Sequence, residues 1–468
     1  MENSIALTVY NQDFALVRDQ REMEFTAGRN TVTVEDVAGR LDRTSVHFKS
    51  LTAPETVVVR EQNYRYDLIE PNTLLEKSIG KQVTLRQHLG EGKMREVKGS
   101  LLASGTVRHD STTGSSLPGG GMVVRTENGE IVLQPAGEIT LHEMPEGLIS
   151  RPQLVWLVDC TRPGAHDVEI SYLTQGVQWT ADYVAVINPD DTEVDLTGWV
   201  TLDNRSGTTF ENASLQLVAG DVRRLPPPMQ FQPNAGHMAL FAGNTASSVP
   251  QFEEEKLFEY HLYTLDGTTT VRNNEQKQMS LLNANGVPAR KRFVYDGRRP
   301  FPYLRYSSYI PGEHYDTSDY QKVNISMLVE NRKPSLGIPL PKGRLRLFKA
   351  DRQGRLQFVG EDSIDHTPRD ETLRLYVGDA FDLVGEHRRT DFKRLGKKQV
   401  EERFEILVRN RGEESVEIVV LEHVWADWEI ANRTHPYVQT DARTLEFPVQ
   451  VAAGAEVKVS YTVRTRWL

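Results

Sequence analysis

Apolar and polar residues alternate with period two along most of this chain. Val194, Leu196, Val200 and Leu202 fall on one side of an extended strand, and Asp195, Thr197, Thr201 and Asp203 on the other. Val457, Val459, Tyr461 and Val463 alternate with Lys458, Ser460, Thr462 and Arg464. Phe404, Ile406 and Val408 alternate with Arg403, Glu405 and Arg409. A helix repeats every ~3.6 residues and would scatter this pattern around its axis; a strand of an antiparallel sheet keeps one face dry and one wet. Turn clusters punctuate the runs at Asn204-Arg205-Ser206-Gly207, Asn410-Arg411-Gly412-Glu413 and Ala453-Gly454-Ala455. Helical pattern is confined to two short stretches, Thr73–Ser78 and Asn274–Leu282. The expected fold class is all-β: antiparallel β-sandwich modules with a small inserted SH3/Sm-like barrel and few short helices.

At 468 residues the chain exceeds one ordinary core. Residues 1–78 read as an N-terminal β region. Residues 79–142 carry five short strands with turns between them, which suits a small barrel. Residues 143–225 form a strongly alternating sandwich region. Pro226-Pro227-Pro228 then stops the sheet, because proline cannot donate to a ladder, and 226–255 reads as a linker or long loop. Residues 256–398 form a central β region and 399–468 a C-terminal sandwich.

The net charge of −10 argues against a generic nucleic-acid or anionic-membrane surface, which calls for a basic face. No stretch approaches the ~20 apolar residues of a membrane-spanning helix, and no signal peptide is present in this chain, which as written reads as cytoplasmic. The single cysteine, Cys160, sits in an apolar run and reads as a buried thiol rather than a nucleophile.

Motifs that carry chemistry are scarce. There is no Gly-x-Ser-x-Gly elbow, His-Glu-x-x-His helix, Walker loop or Cys-x-x-Cys pair. The run Gly114–Gly121 precedes a strand rather than a helix, so it reads as a hairpin loop and not a phosphate cradle. Asp190, Asp191, Glu193 and Asp195 could offer oxygens to calcium, but alternation sends Glu193 and Asp195 to a wet face, and a solvated turn is the simpler reading. Asp362, Asp365 and His366 read as one polar loop and Glu313, His314, Asp316 and Asp319 as another; together they could hold a metal, though nothing in the sequence joins them. Trp425, Trp428 and Trp467 could form a sugar platform or simply pack in the terminal sandwich. The densest contact chemistry lies in residues 290–320, where Arg298, Arg299, Tyr303, Arg305, Tyr306, Tyr309 and Tyr315 combine rigid rings with planar cations, the pairing that interaction surfaces favour.

Several segments occur in a familiar order. They are Val9-Tyr10-Asn11-Gln12-Asp13-Phe14-Ala15-Leu16-Val17 and Trp179-Thr180-Ala181-Asp182-Tyr183, then 196–207, 215–222, Pro339-Leu340-Pro341-Lys342-Gly343, 357–362, Leu375-Tyr376-Val377-Gly378-Asp379 and 405–410. This order resembles the bacterial family called domain of unknown function 4139, related to mucoidy-inhibitor-A-like proteins. The resemblance covers most of the chain from about residue 150 onward. It implies a mostly β architecture, often in exported proteins, and hands over no catalytic residue. The chain lacks the leader usual in that family.

Three classes of function stand in order: a non-enzymatic binding or structural protein, placed in the bacterial cell envelope by the resemblance; a metal-dependent hydrolase with a loop-built site; and a carbohydrate-binding protein. Protein partners or self-association fit the first. No cofactor is implied. Because His and Cys ligands are not clustered at usable spacing, purified, dialysed protein should carry no stoichiometric transition metal. Elemental analysis checks this, and one zinc or iron per chain would promote the hydrolase reading.

Overall fold

The computed structural model describes residues 4–88, 94–105, 108–109, 116–117, 121–135, 137–220, 222–223, 252–257, 260–297 and 321–467. Most of them are strands of antiparallel sheets, with one short α-helix, Pro71–Lys77, and two single-turn 3₁₀ segments. The fold is therefore the all-β class that the alternation requires. No helix among the described residues is long and apolar enough to cross a membrane. The chain divides into two units, one within Met1–Trp179, Leu202–Ala246 and Glu253–Lys277, the other within Thr180–Thr201, Ser247–Phe252 and Gln278–Leu468.

In the first unit a seven-stranded sheet runs, in spatial order, Phe252–Leu257, Tyr260–Val271, Phe210–Ala219, Ser4–Tyr10, Phe14–Phe25, Gly164–Gln175 and His47–Ser50. A three-stranded sheet holds Gln153–Cys160 between Gly28–Glu35 and Val57–Arg65. Leu154, Trp156, Val158 and Cys160 project from one side of that central strand and are all buried. The Trp156 ring meets Phe48 of the larger sheet at 5.0 Å between centroids, which seals the two sheets as a sandwich. Its indole N–H donates to Gln62 Oε1 at 2.9 Å, so the ring is buried without an unmet donor.

A third sheet belongs to the inserted segment. Its five strands run Ile131–Leu133, Val123–Thr126, Met94–Ala103, Gln82–His88 and Glu138–Leu141, and pair only with one another. Val83, Leu85, Leu101 and Val124 make its core. Ile131–Leu133 and Glu138–Leu141 stand at opposite ends of this order, so the described pairings form an open sheet.

The second unit is built around the strand Glu275–Asp296. Residues 289–294 pair antiparallel with Lys322–Glu330, and residues 293–296 pair parallel with Val416–His423. The sheet continues through Thr372–Gly396, Gln399–Asn410, Glu456–Arg466 and Asp427–Arg433. Val416–His423 also pairs with Thr444–Val451. The core between these layers holds Tyr295, Val323, Ile406, Val408, Ile418, Val420, Phe447, Val459 and Tyr461. Tyr295 needs room that only glycine leaves: a Cβ on Gly385 would stand 2.2 Å from its ring.

The helix expected at Asn274–Leu282 is instead the start of the strand Glu275–Asp296. Met279, Ser280, Leu281 and Leu282 are all buried, so both sides of the segment are covered, whereas a surface helix buries a single stripe. Asn274 takes φ 57°, the turn conformation that asparagine tolerates best among ordinary residues. The helix expected at Thr73–Ser78 forms, over Pro71–Lys77.

Leu196, Val200 and Leu202 are buried, while Asp195 is exposed and Thr197 and Thr201 are partly so, which is the register that the alternation predicts; Asp203, at 9% exposed, is more enclosed than a wet face implies. Leu202 is 0% exposed. Replacing it with alanine should cost about 2–5 kcal/mol through lost burial and a cavity, whereas Thr197→Ala should stay within about 0.5 kcal/mol. Urea midpoints of the two variants check this, and an unmoved midpoint for Leu202→Ala would contradict the core assignment.

Candidate functional site

Alternation gives the central strands of the second unit two different faces. Tyr295, Val323, Ile418 and Val420 enter the core. The other side of the same strands carries Val294, Asn324, Ser326 and Leu421, which line a cleft of about 240 Å³ with Asp296, Arg374 and Tyr376. Its floor is apolar, a small buried cluster of Val294, Val419 and Leu421. Its remaining walls are polar.

Two irregularities in the pairing of Lys322–Glu330 with Thr372–Gly396 shape this cleft. Ser326 lies opposite Tyr376 and Ile325 opposite Gly378, so Val377 is one extra residue. A single extra residue turns the following side chains to the other face. Asp379 thereby comes opposite Asn324 on the cleft side. The second irregularity is larger: Asn324 pairs with Asp379 but Lys322 with Val384, which leaves three extra residues. Phase is restored beyond it, and Leu383 returns to the core. Phe381 stands on this second bulge, 97% exposed. Unbroken alternation from Leu375 to Leu383 would have turned that ring inward.

Asp379 organises the polar wall. Its Oδ1 accepts from Asn324 Nδ2 at 2.6 Å and from the Tyr376 hydroxyl at 2.9 Å, and Lys322 Nζ lies 3.0 Å from Oδ2. Burial alone would raise this carboxyl; the hydrogen bonds from Lys322, Tyr376 and Asn324 together outweigh it and hold the group below the ordinary carboxylate range. On the neighbouring strand Asp296 Oδ2 lies 3.2 Å from His423 Nε2. Arg374 is exposed and forms no ion pair among the described residues. Ser326 is buried in the cleft wall, and its hydroxyl has no hydrogen-bond partner among the described residues.

Two other polar groupings look chemical but are closed. Ser50 Oγ lies 2.8 Å from His166 Nδ1, and His166 Nε2 lies 2.8 Å from the carbonyl of Arg162. A carbonyl only accepts, so Nε2 carries the proton of the neutral ring and Ser50 donates to Nδ1. This is the hydrogen bond of an activated serine, yet Ser50 and His166 are 1% and 2% exposed and no substrate can reach them. The pair instead fastens the edge strand His47–Ser50 to its neighbour. In the second unit Glu422 Oε2 accepts from Tyr461 at 2.5 Å and lies 3.3 Å from His387 Nε2, and Arg389 pairs with Glu402 at 3.0 Å; all are buried cross-strand ties except the partly covered Arg389 backbone region.

The residues singled out in the sequence fare differently. Arg298, Arg299, Tyr303, Arg305, Tyr306, Tyr309 and Tyr315 lie outside the described residues, as do Glu313, His314, Asp316 and Asp319 and most of the expected linker and of Gly114–Gly121. Asp362 is not in a loop but in the strand Leu356–Ile364, where its carboxylate accepts from the backbone N–H of Tyr376 at 2.7 Å; a strand runs on here because residues 343–350 pair with it throughout. His366 Nδ1 faces the N–H of Lys342 at 3.2 Å. Asp191 is held by Lys291 and Lys349 at 2.6 and 2.5 Å, while Asp190, Glu193 and Asp195 are exposed, as a solvated turn requires. Trp425 and Trp467 rest against each other at 5.4 Å, and the Trp428 indole donates to the carbonyl of Ala442 at 3.0 Å. Cys160 is buried, its sulfur 3.0 Å from the Arg162 carbonyl. Among the described residues no three His, Cys, Asp or Glu side chains gather to hold a metal.

No protein-family model matches the chain, and a search of the curated proteins finds none that matches it.

The cleft residues escaped sequence reasoning because Ser326, Arg374 and Phe381 each fit an ordinary alternating strand. The one local signal is Gly378-Asp379 inside a strand run, where a glycine marks a bulge. Asp379 offers a direct check on the wall it organises. A carboxyl held below its unfolded value stabilises the fold above that value, about pH 4, and the contribution is lost as pH falls through the folded value. Wild type should therefore exceed Asp379→Asn in urea midpoint at about pH 7, with the gap closing toward about pH 2–3. A gap that is constant with pH would contradict the hydrogen-bonded carboxylate.

Proposed function

We propose that this chain is a non-enzymatic binding protein and that the cleft beside Phe381 is where it meets its partner. The observation that carries the reading is Phe381 itself, 97% exposed on a bulge two residues beyond the polar wall. Burying a phenylalanine stabilises a fold by about 1.5–3 kcal/mol, and this ring forgoes that in the free chain. Bulges that re-aim a side chain beside a cleft are a recurrent feature of functional edges. Exposed aromatic rings are also enriched where proteins make contact.

The binding reading is preferred to a hydrolase because, among the described residues, Ser326 has no histidine partner, and the Ser50–His166 pair is buried. It is preferred to sugar binding through tryptophans because Trp425 and Trp467 spend their faces on each other. The ordered segments that resemble the domain-of-unknown-function family support a bacterial protein of the cell envelope, and membership of that family is part of the proposal. A photo-crosslinking residue placed at position 381 in the native cells tests it. Discrete adducts are expected at 381 and not at Val438, an exposed apolar position on the same unit. Equal adduct patterns at both positions, or none at 381, would refute the reading.

A further inference from the structure

We propose that Arg374 and Ser326 form a seat for a carboxylate in this cleft, an inference that rests on the binding reading and deepens it by naming the group the partner brings. Two independent observations meet there. Ser326 is 4% exposed, lines the cleft, and has a hydroxyl with no hydrogen-bond partner among the described residues. Ser326 Oγ is not among the fully enclosed unpaired atoms, so it opens into the cleft, where its hydroxyl can donate to a ligand acceptor. Arg374 lines the same cleft and has no carboxylate partner among the described residues.

Their placement lets them act together. Ser326 lies opposite Tyr376, so Arg374, two residues along the same strand and on the same face, is its diagonal neighbour. Diagonal neighbours sit roughly 7–8 Å apart, a span that an arginine side chain closes. A planar guanidinium fork with one hydroxyl donor beside it matches the two oxygens of a carboxylate. Asp296 in the cleft and Asp379 in its wall bring negative charge, which penalises a doubly charged phosphate more than a singly charged carboxylate. Val294 and Leu421 supply an apolar surface for the carbon that bears the acid. A cleft of about 240 Å³ has room for one small acid or one acidic side chain.

The source is then either a free small acid or a glutamate or aspartate of a protein partner, and the test separates them. The full chain is titrated, by ligand-observed NMR, with acetate, N-acetylglutamate amide and inorganic phosphate at matched ionic strength. Saturable binding of the carboxylates is expected, weakened about tenfold or more in Arg374→Gln and about threefold or more in Ser326→Ala. Tighter binding of the glutamate derivative points to a protein side chain, and tighter acetate to a small acid; both support the seat. Arg374 is exposed, so its variant should keep the wild-type melting temperature and decides the matter even where Ser326→Ala folds poorly. No saturable carboxylate binding, phosphate bound as tightly as carboxylate, or binding unchanged in Arg374→Gln would overturn the seat. Adducts at position 381 without carboxylate binding would remove the seat and leave the binding role; carboxylate binding without adducts would do the reverse.

Discussion

The second unit depends on the register between Lys322–Glu330 and Thr372–Gly396. One face of this pair closes a core through Val323 and Leu383, and the other must be left as a cleft. Side chains of a strand change face with every residue, so Leu375, buried opposite Met327, and Leu383 can both face inward only if the extra residues between them come in an even total. They do: one at Val377 and three beyond Asp379. The first slip brings Asp379 to the polar wall; the second restores the core and leaves Phe381 outside. The polar wall and the bare ring are consequences of one pairing pattern.

Rigidity behind the cleft comes from the core face. Tyr295 is wedged against Gly385, and its neighbours Ile418 and Val420 are fully buried on the adjoining parallel strand. Close-packed cores resist sliding, which fixes where Val294 and Asp296 stand on the reverse side. On the cleft side, three donors converge on Asp379 and leave Asn324 and Tyr376 committed to the wall. Arg374 and Ser326 make no such commitment, which is why the ligand chemistry falls to them.

The fold was legible where the alternation is unbroken. Leu196, Val200 and Leu202 are buried as their period requires, and the terminal strands fall where their turns place them. Legibility failed where both faces of a strand are covered, as at Met279-Ser280-Leu281-Leu282, because burial on both sides leaves no alternation of period two to read. It failed again at Phe381, since a bulge is a relation between two strands and only one of them is visible in a local pattern. The candidate cleft was not legible at all: its residues come from four strands spread between Val294 and Leu421, and no motif spans that distance. Of the aromatic and arginine-rich stretch that the sequence did advertise, residues 290–297 close a core strand with Tyr295 buried and Arg292 paired with Glu446, and residues 298–320 lie outside the described residues.

The most direct measurement is a crystal structure of the full chain with N-acetylglutamate amide bound. The account predicts Phe381 exposed on its bulge and the ligand carboxylate about 2.8 Å from both the Arg374 guanidinium and Ser326 Oγ. A straight strand that carries Phe381 into the core, or a ligand bound elsewhere while another protein group satisfies Ser326, would contradict it.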